Sequence, residues 1–333
     1  MPRPDLARLG VRHRRIPILA IGRDVYLDSR LILCKLELIS STSPSVHPPL
    51  GSSSSKASSE QLALERLLDV LTVDTSLYLD AARLIPSAVP AMKDPAFVKD
   101  RKDYFGGPLG QQPPTGKEAH AGAPPAASAA LLRAESLAEL RYAASLLEST
   151  LLADGRHWIL GTPNPSVSDI EAIWPFHWLS SMPGAFLDGS GSQEAALGPA
   201  QYPRLFAWID RFNSAIRAAR RGQPSLVNRM DGAAAAQAVQ ATAYFEIPPK
   251  DAPPVDPQDP VSRAAGLRAG QRVVVWPIDT GMSHKDVGKL VRLSSSEVVI
   301  EVAPSDDAPS VLLHAPRHGF RVRPFTEVES PRL

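Results

Sequence analysis

The chain carries one cysteine, Cys34, in 333 residues. An internal disulfide is therefore excluded and the composition fits a reducing compartment, so a cytoplasmic location is the expectation. Long apolar runs are missing too. Nothing approaches the roughly 20 residues that a helix needs to cross a bilayer, and the stretch holding Arg3, Asp5 and Arg8 lacks the apolar core of a secretory signal. No membrane association is expected. Neither sign of charge is in excess, with 36 Lys and Arg against 35 Asp and Glu, which leaves no nucleic-acid-binding field and no acidic tail. Phosphate-loop and dinucleotide fingerprints are absent, because Gly106-Gly107 runs into Pro108 and not into a helix. His314 and His318 stand four apart, but their surroundings are not helical sequence and no third ligand is near, so no metal is expected. Ser190 and Ser192 lack the flanking glycines and preceding strand of a nucleophile elbow and read as linker.

What is there begins with length and proline. The chain is long enough for two domains, and its 33 prolines argue for several irregular connections. The most informative stretch is Arg15 to Ile32, RIPILAIGRDVYLDSRLI. An apolar run containing Ile16-Pro17-Ile18-Leu19 meets a turn at Gly22, a second short strand covers Asp24–Leu27, and Asp28-Ser29 opens a helix. A helix N-terminus is a ready site for an anion. Pro17 in a strand-like run cannot donate to a ladder and points to a cis bond at a functional position. Cys34 falls on the side of the following helix expected to be buried, as a small hydrophobe or else as a reactive thiol. The basic cluster Arg12-His13-Arg14-Arg15 reads as a solvated strand edge.

A second motif lies downstream. Ser166-Val167-Ser168-Asp169 has the spacing of a capping box, Ser166 at the cap and Asp169 reaching back. Ile170, Trp174 and Trp178 follow at every fourth residue and share one helix face. Pro175 inside that helix is expected to kink or break it. Tyr202-Pro203-Arg204-Leu205 enters another helix through a proline, with Leu205, Trp208, Ile209 and Phe212 on one face.

These two motifs resemble the glutathione S-transferase family. The first is similar to the second half of its thioredoxin-like domain, where an Ile/Val-Pro sits in the third strand and a Glu/Asp-Ser pair opens the third helix. The second, with Gly161, Pro165, Ser166 and Asp169, is similar to the start of the core helix in its all-α domain. The resemblance implies that Pro17 is the cis-proline, that the backbone of Ile16 meets the cysteinyl part of glutathione, and that Asp28 and Ser29 hold its γ-glutamyl end. It implies glutathione as the ligand, a small-molecule electrophile as co-substrate, and a homodimer or other protein partner. The family's catalytic Tyr, Ser or Cys comes from a strand and helix that have no counterpart before Arg15. A truncated thioredoxin-like domain, no catalytic residue, an exposed hairpin edge and weak or no transferase activity are the expectations. The alternative is a non-catalytic interaction protein.

The expected fold class is α+β and multidomain. A partial thioredoxin-like hairpin and helix covers 1–39, a linker 40–59, and an all-α transferase-like bundle 60–245. A Pro-rich linker covers 246–264. Short β-type runs with turn residues between them then suggest a separate small all-β module, SH3-like, over 265–326, which resembles the tails of some fungal transferase-like proteins.

Overall fold

A computed structural model describes residues 3–42, 49–51, 57–105, 125–187, 196–222, 228–246, 253–305 and 307–326. The Gly/Pro-rich stretch 106–124, the loop with Ser190 and Ser192, and much of the 40–59 linker lie outside these residues. Along the chain run α1 (Pro4–Ala7), β1 (Ile18–Ile21), β2 (Asp24–Leu27), α2 (Ser29–Thr42), α3 (Ser59–Asp69), α4 (Leu77–Arg83), α5 (Pro95–Tyr104), α6 (Pro125–Leu146), α7 (Val167–Ser180), α8 (Pro203–Gly222), α9 (Gly232–Gln240) and α10 (Pro260–Ala265). Five strands follow: β3 (Arg272–Pro277), β4 (Asp286–Leu293), β5 (Glu297–Val302), β6 (Val311–Pro316) and β7 (Phe320–Pro324). The chain divides into two compact units. One holds Met1–Leu36, Asp100–Gly106 and Asn228–Leu333, and the other Glu37–Lys99 and Gly107–Val227.

The first unit is built on one sheet in the order β1-β2-β6-β5-β4-β3-β7. The N-terminal hairpin and the C-terminal strands, which the sequence assigns to separate domains, are therefore neighbours. β2 runs parallel to β6, with Asp24 opposite Leu312 and Tyr26 opposite His314. That pairing saturates one edge of a hairpin that would be marginal alone. The other C-terminal strands pair antiparallel, β7 closing on β3. Strand alternation sorts the faces. Val25, Leu27, Val273, Val275, Ile300 and Leu313 enter one apolar core. On the opposite face Tyr26 packs with Leu31 and Ile32 of α2. Cys34 points away from that contact and is exposed, which corrects the expectation of a buried thiol, since Leu31 and Ile32 occupy the helix face toward the sheet.

The basic cluster is also not a solvated edge. Arg14 is buried and pairs with Asp100 and, at 3.4 Å, Asp103 of α5. His13 is 1% exposed and stacks on Phe320. Burial first, then the charges of Arg15 and His284, push the His13 imidazole down to about 3. Asp286 is buried as well, accepts from the Arg12 N–H at 2.6 Å, and is pushed up by burial to about 7.

The second unit is a helical bundle whose core gathers Leu68, Leu84, Leu140, Leu147, Ile173, Phe176, Leu179, Leu205 and Trp208. Asp169 anchors it. Its Oδ2 accepts from the Ser166 N–H at 2.8 Å and the Ser166 hydroxyl at 2.7 Å, and its Oδ1 from the Ile159 N–H and the Trp208 indole, both at 2.9 Å. Ile170, Trp174 and Trp178 are only half-buried. The deep face of α7 is instead Ile173, Phe176 and Leu179. α7 also runs unbroken through Pro175. Proline removes the N–H that would meet the carbonyl four residues back, and here the Thr72 hydroxyl donates to that Glu171 carbonyl at 2.8 Å. An outside donor thus replaces the missing helical bond.

Candidate functional site

The hairpin fixes the geometry of its open end. Ile18 faces Leu27 and Ile21 faces Asp24, so Ile16-Pro17, just before β1, and Asp28-Ser29, just after β2, both adjoin the Ile18–Leu27 end of the hairpin. All four residues that the sequence singles out for a ligand thus fall at one end of one hairpin. The Ile16–Pro17 peptide bond is cis. Ile16 is 68% exposed, unusual for a large aliphatic side chain next to a strand. Asp28 sits at φ +72°, a conformation Asp tolerates better than most side chains. There its Oδ1 accepts from the Arg30 N–H at 3.2 Å, and the Asp28 carbonyl accepts from Ile32 at 3.0 Å. Asp28 therefore caps α2, and Ser29 is its first residue.

Sequence reasoning missed the cation of this corner. Arg15 Nη2 lies 3.2 Å from Asp28 Oδ2, and its Nη1 is 2.8 Å from both carboxylate oxygens of Asp279. The guanidinium also lies over the Phe320 ring, 5.3 Å from its centroid. Asp279 and Phe320 are more than 260 positions downstream of Arg15 in number, and no local signal joins them. The corner thus brings the Asp28 and Asp279 carboxylates onto the Arg15 guanidinium, next to the Ser29 start of α2.

The α2 face of the sheet carries a second cluster. Tyr26, His314, Val299 and Arg292 stand in register across β2, β6, β5 and β4. A bulge between Leu290 and Arg292 shifts the β4 register. Without it Arg292 would share the apolar face of Leu290; the extra residue turns it to the charged face. His314 Nδ1 lies 3.1 Å from Glu297 Oε1 and its Nε2 2.8 Å from Asp24 Oδ1. Lys35 of α2 bonds Glu246 and, at 2.8 Å, Glu297, and Arg292 bonds the same two carboxylates. Tyr26 donates to Glu246 at 3.0 Å.

The electrostatics follow from that wiring. Burial alone raises the Glu297 carboxyl, but the bonds and charges of His314 and Lys35 outweigh it and hold it at about 2. Burial lowers His314, and its bonds to Asp24 and Glu297 override that and raise it. Burial first, and then the carboxylates around it, push the Tyr26 hydroxyl up. Glu246, Glu297 and His314 bring one ligand atom each within 4.8 Å of one another, a spacing a metal could use. Lys35 and Arg292 already fill that role as cations, so the arrangement is an ion network. Four of its members border a cavity of about 680 Å³, but their charges are spent on each other.

No helix among the described residues is long and apolar enough to cross a membrane. A family model described as a domain of unknown function, DUF7962, matches residues 80–221, the stretch from α4 through α8. No curated protein matches the chain. Among solved structures, a GST-like protein from Pseudomonas syringae superposes with a TM-score of 0.61 at 20% identity, covering 98% of this chain and 86% of that one. A glutathione transferase homolog from Sulfitobacter, solved with bound glutathione, is similar at a TM-score of 0.35 and 12% identity over 64% of this chain and 75% of that one, too loose a likeness to carry residue roles. The chain has a mixed α/β fold of the GST-like kind.

Proposed function

We propose that this GST-like protein binds glutathione at the open end of its N-terminal hairpin. The observation that supports the reading is the β1–β2 hairpin, whose open end adjoins Ile16-Pro17 on one strand and Asp28-Ser29, at the start of α2, on the other. The Ile16 backbone pairs with the cysteinyl peptide group, Ser29 meets the γ-glutamyl carboxylate at the helix N-terminus, and Asp28 meets its ammonium group. Transfer to a small-molecule electrophile is weak. The thiolate is the reactive form, and the Arg15 guanidinium, the cation bound to Asp28, is shared with the Asp279 carboxylate. A guanidinium already paired with two carboxylates lowers a thiol's pKa less than a free one would. A cytoplasmic setting suits this chemistry.

The test is retention of the full chain on immobilised glutathione, with conjugation of 1-chloro-2,4-dinitrobenzene measured in parallel. The reading expects retention, its loss in Ser29→Ala, and conjugation barely above the uncatalysed rate. A chain that passes the matrix unretained contradicts it.

A second reading is an interaction protein. β1 is the terminal strand of the sheet, and among the described residues no strand pairs with its outer edge, which suits strand addition by a protein partner or a second copy. The order β7-β3-β4-β5-β6 supports reading the C-terminal strands as an SH3-like module that serves the same role.

A further inference from the structure

The helical unit contains a cavity of about 630 Å³, within the usual range for small-molecule sites. Ile85, Met92, Leu132, Pro183 and Leu187 give it largely apolar walls, and two guanidinium groups, Arg83 and Arg133, border it. The two cations differ. Arg83 Nη1 lies 3.1 Å from Asp80 Oδ1, which also accepts from the Ser136 hydroxyl at 2.9 Å, so that charge is neutralised in place. Arg133 meets no carboxylate among the described residues. Backbone carbonyls pin its fork instead: Nε donates to Leu187 at 3.3 Å, Nη1 to Leu84 at 3.1 Å, and Nη2 to Ala185 at 2.8 Å and to Gly184 and Leu187 at 3.1 Å each. Carbonyl oxygens satisfy the donors but bring no counter-charge. Burial accordingly pulls the Arg133 guanidinium down from its usual range. Of the two N–H groups on Nη1, one is accounted for by Leu84 and one remains. A held cation with no carboxylate partner among the described residues, beside an apolar wall, is complementary to a molecule with one negative head and an apolar body.

We propose that this cavity binds a small amphipathic monocarboxylate, its carboxylate paired with Arg133 and its apolar chain against Met92, Leu132 and Leu187. The site is separate from the glutathione corner and does not rest on that reading.

The test is calorimetric titration of the full chain with octanoate and, as an uncharged match, 1-octanol. Octanoate is expected to bind at least about tenfold more tightly, the size of one charge-assisted hydrogen bond. Arg133→Met should bring the two affinities together. Because Arg133 also clamps four backbone carbonyls, that variant can lose its fold, so Ala130→Trp is the second arm. It narrows the cavity from α6 while leaving the Arg133 side chain in place, and should weaken octanoate binding at least about tenfold in a protein whose circular dichroism matches the wild type. Equal affinity for octanoate and 1-octanol, no octanoate binding at millimolar concentration, or undiminished binding to a folded Ala130→Trp protein would each overturn the proposal.

Discussion

His314 Nε2 lies 2.8 Å from Asp24 Oδ1, although 290 positions separate the two residues. This bond, with the Tyr26 ring centroid 4.5 Å from that of the imidazole and tilted 36° to it, fastens the N-terminal hairpin to the C-terminal strands on the charged face of the sheet. Its other face is closed by the shared apolar core.

Removing one member of a buried pair strands its partner, which generally costs about 3–5 kcal/mol. His314→Gln is expected to lose on the order of 3 kcal/mol near pH 6 by urea unfolding. The pH dependence gives the sharper signature. The raised His314 pKa means the folded state binds its proton more tightly than the unfolded chain, so its contribution is fully present below about 6.5 and lost as pH rises through the folded value. Asp286, raised from 3.8 to about 7, also favours low pH, but its window closes near neutrality. Above pH 7 the fall in wild-type stability is therefore expected to exceed that of His314→Gln. Parallel pH profiles between about pH 7 and pH 9 would remove the charged-imidazole account.

The Thr72 hydroxyl makes Pro175 tolerable by donating to the Glu171 carbonyl. Thr72→Val is expected to destabilise the bundle by about 1–3 kcal/mol, the usual cost of a buried group left without its partner. In a Pro175→Ala background the helix regains its own N–H for that carbonyl, and Thr72→Val should cost clearly less. A double-mutant cycle by denaturant unfolding measures the difference, and a coupling of zero would show that the two residues act independently.

Asp169 takes four donors at 0% exposure. Asp169→Ala orphans all of them, whereas Trp208→Phe removes only the indole. The first substitution is expected to unfold the helical unit or cost at least about 4 kcal/mol, several times the second, which should lie near 1 kcal/mol plus any packing loss. Similar costs for both, read from tryptophan-independent circular dichroism, would mean the carboxylate is not the hub.

What the sequence makes legible here is local. Arg15 to Ile32 spells strand, turn, strand and helix start within 18 residues' reach, and each step rests on neighbours: Gly22 for the turn, Asp28 for the cap. The Ser166 to Asp169 spacing and the proline entry at Pro203 are legible for the same reason. What stays hidden is long-range. Nothing near Asp24 or Tyr26 announces His314, and nothing in Val311–Pro316 announces a parallel partner from the N-terminus, so one sheet reads as two domains. The bulge that turns Arg292 to the charged face changes no residue pattern that alternation alone would register. A histidine inside the otherwise apolar Val311–Pro316 strand was the one available hint that a polar partner had to come from elsewhere. At the hairpin corner the backbone elements are legible, but the Arg15–Asp279 pair is not, because 264 positions separate its members.

Glutathione binding at the hairpin's open end is proposed to rest on Asp28 and Ser29. Asp28→Asn tests it most directly, because asparagine keeps both the positive φ and an oxygen for the Arg30 N–H while removing the charge. Titration calorimetry of the full chain should show saturable glutathione binding by the wild type and at least about tenfold weaker binding by Asp28→Asn, measured on a variant whose circular dichroism shows it folded at the titration temperature. No binding by the wild type at millimolar glutathione, or equal affinity in the two proteins, would contradict the account.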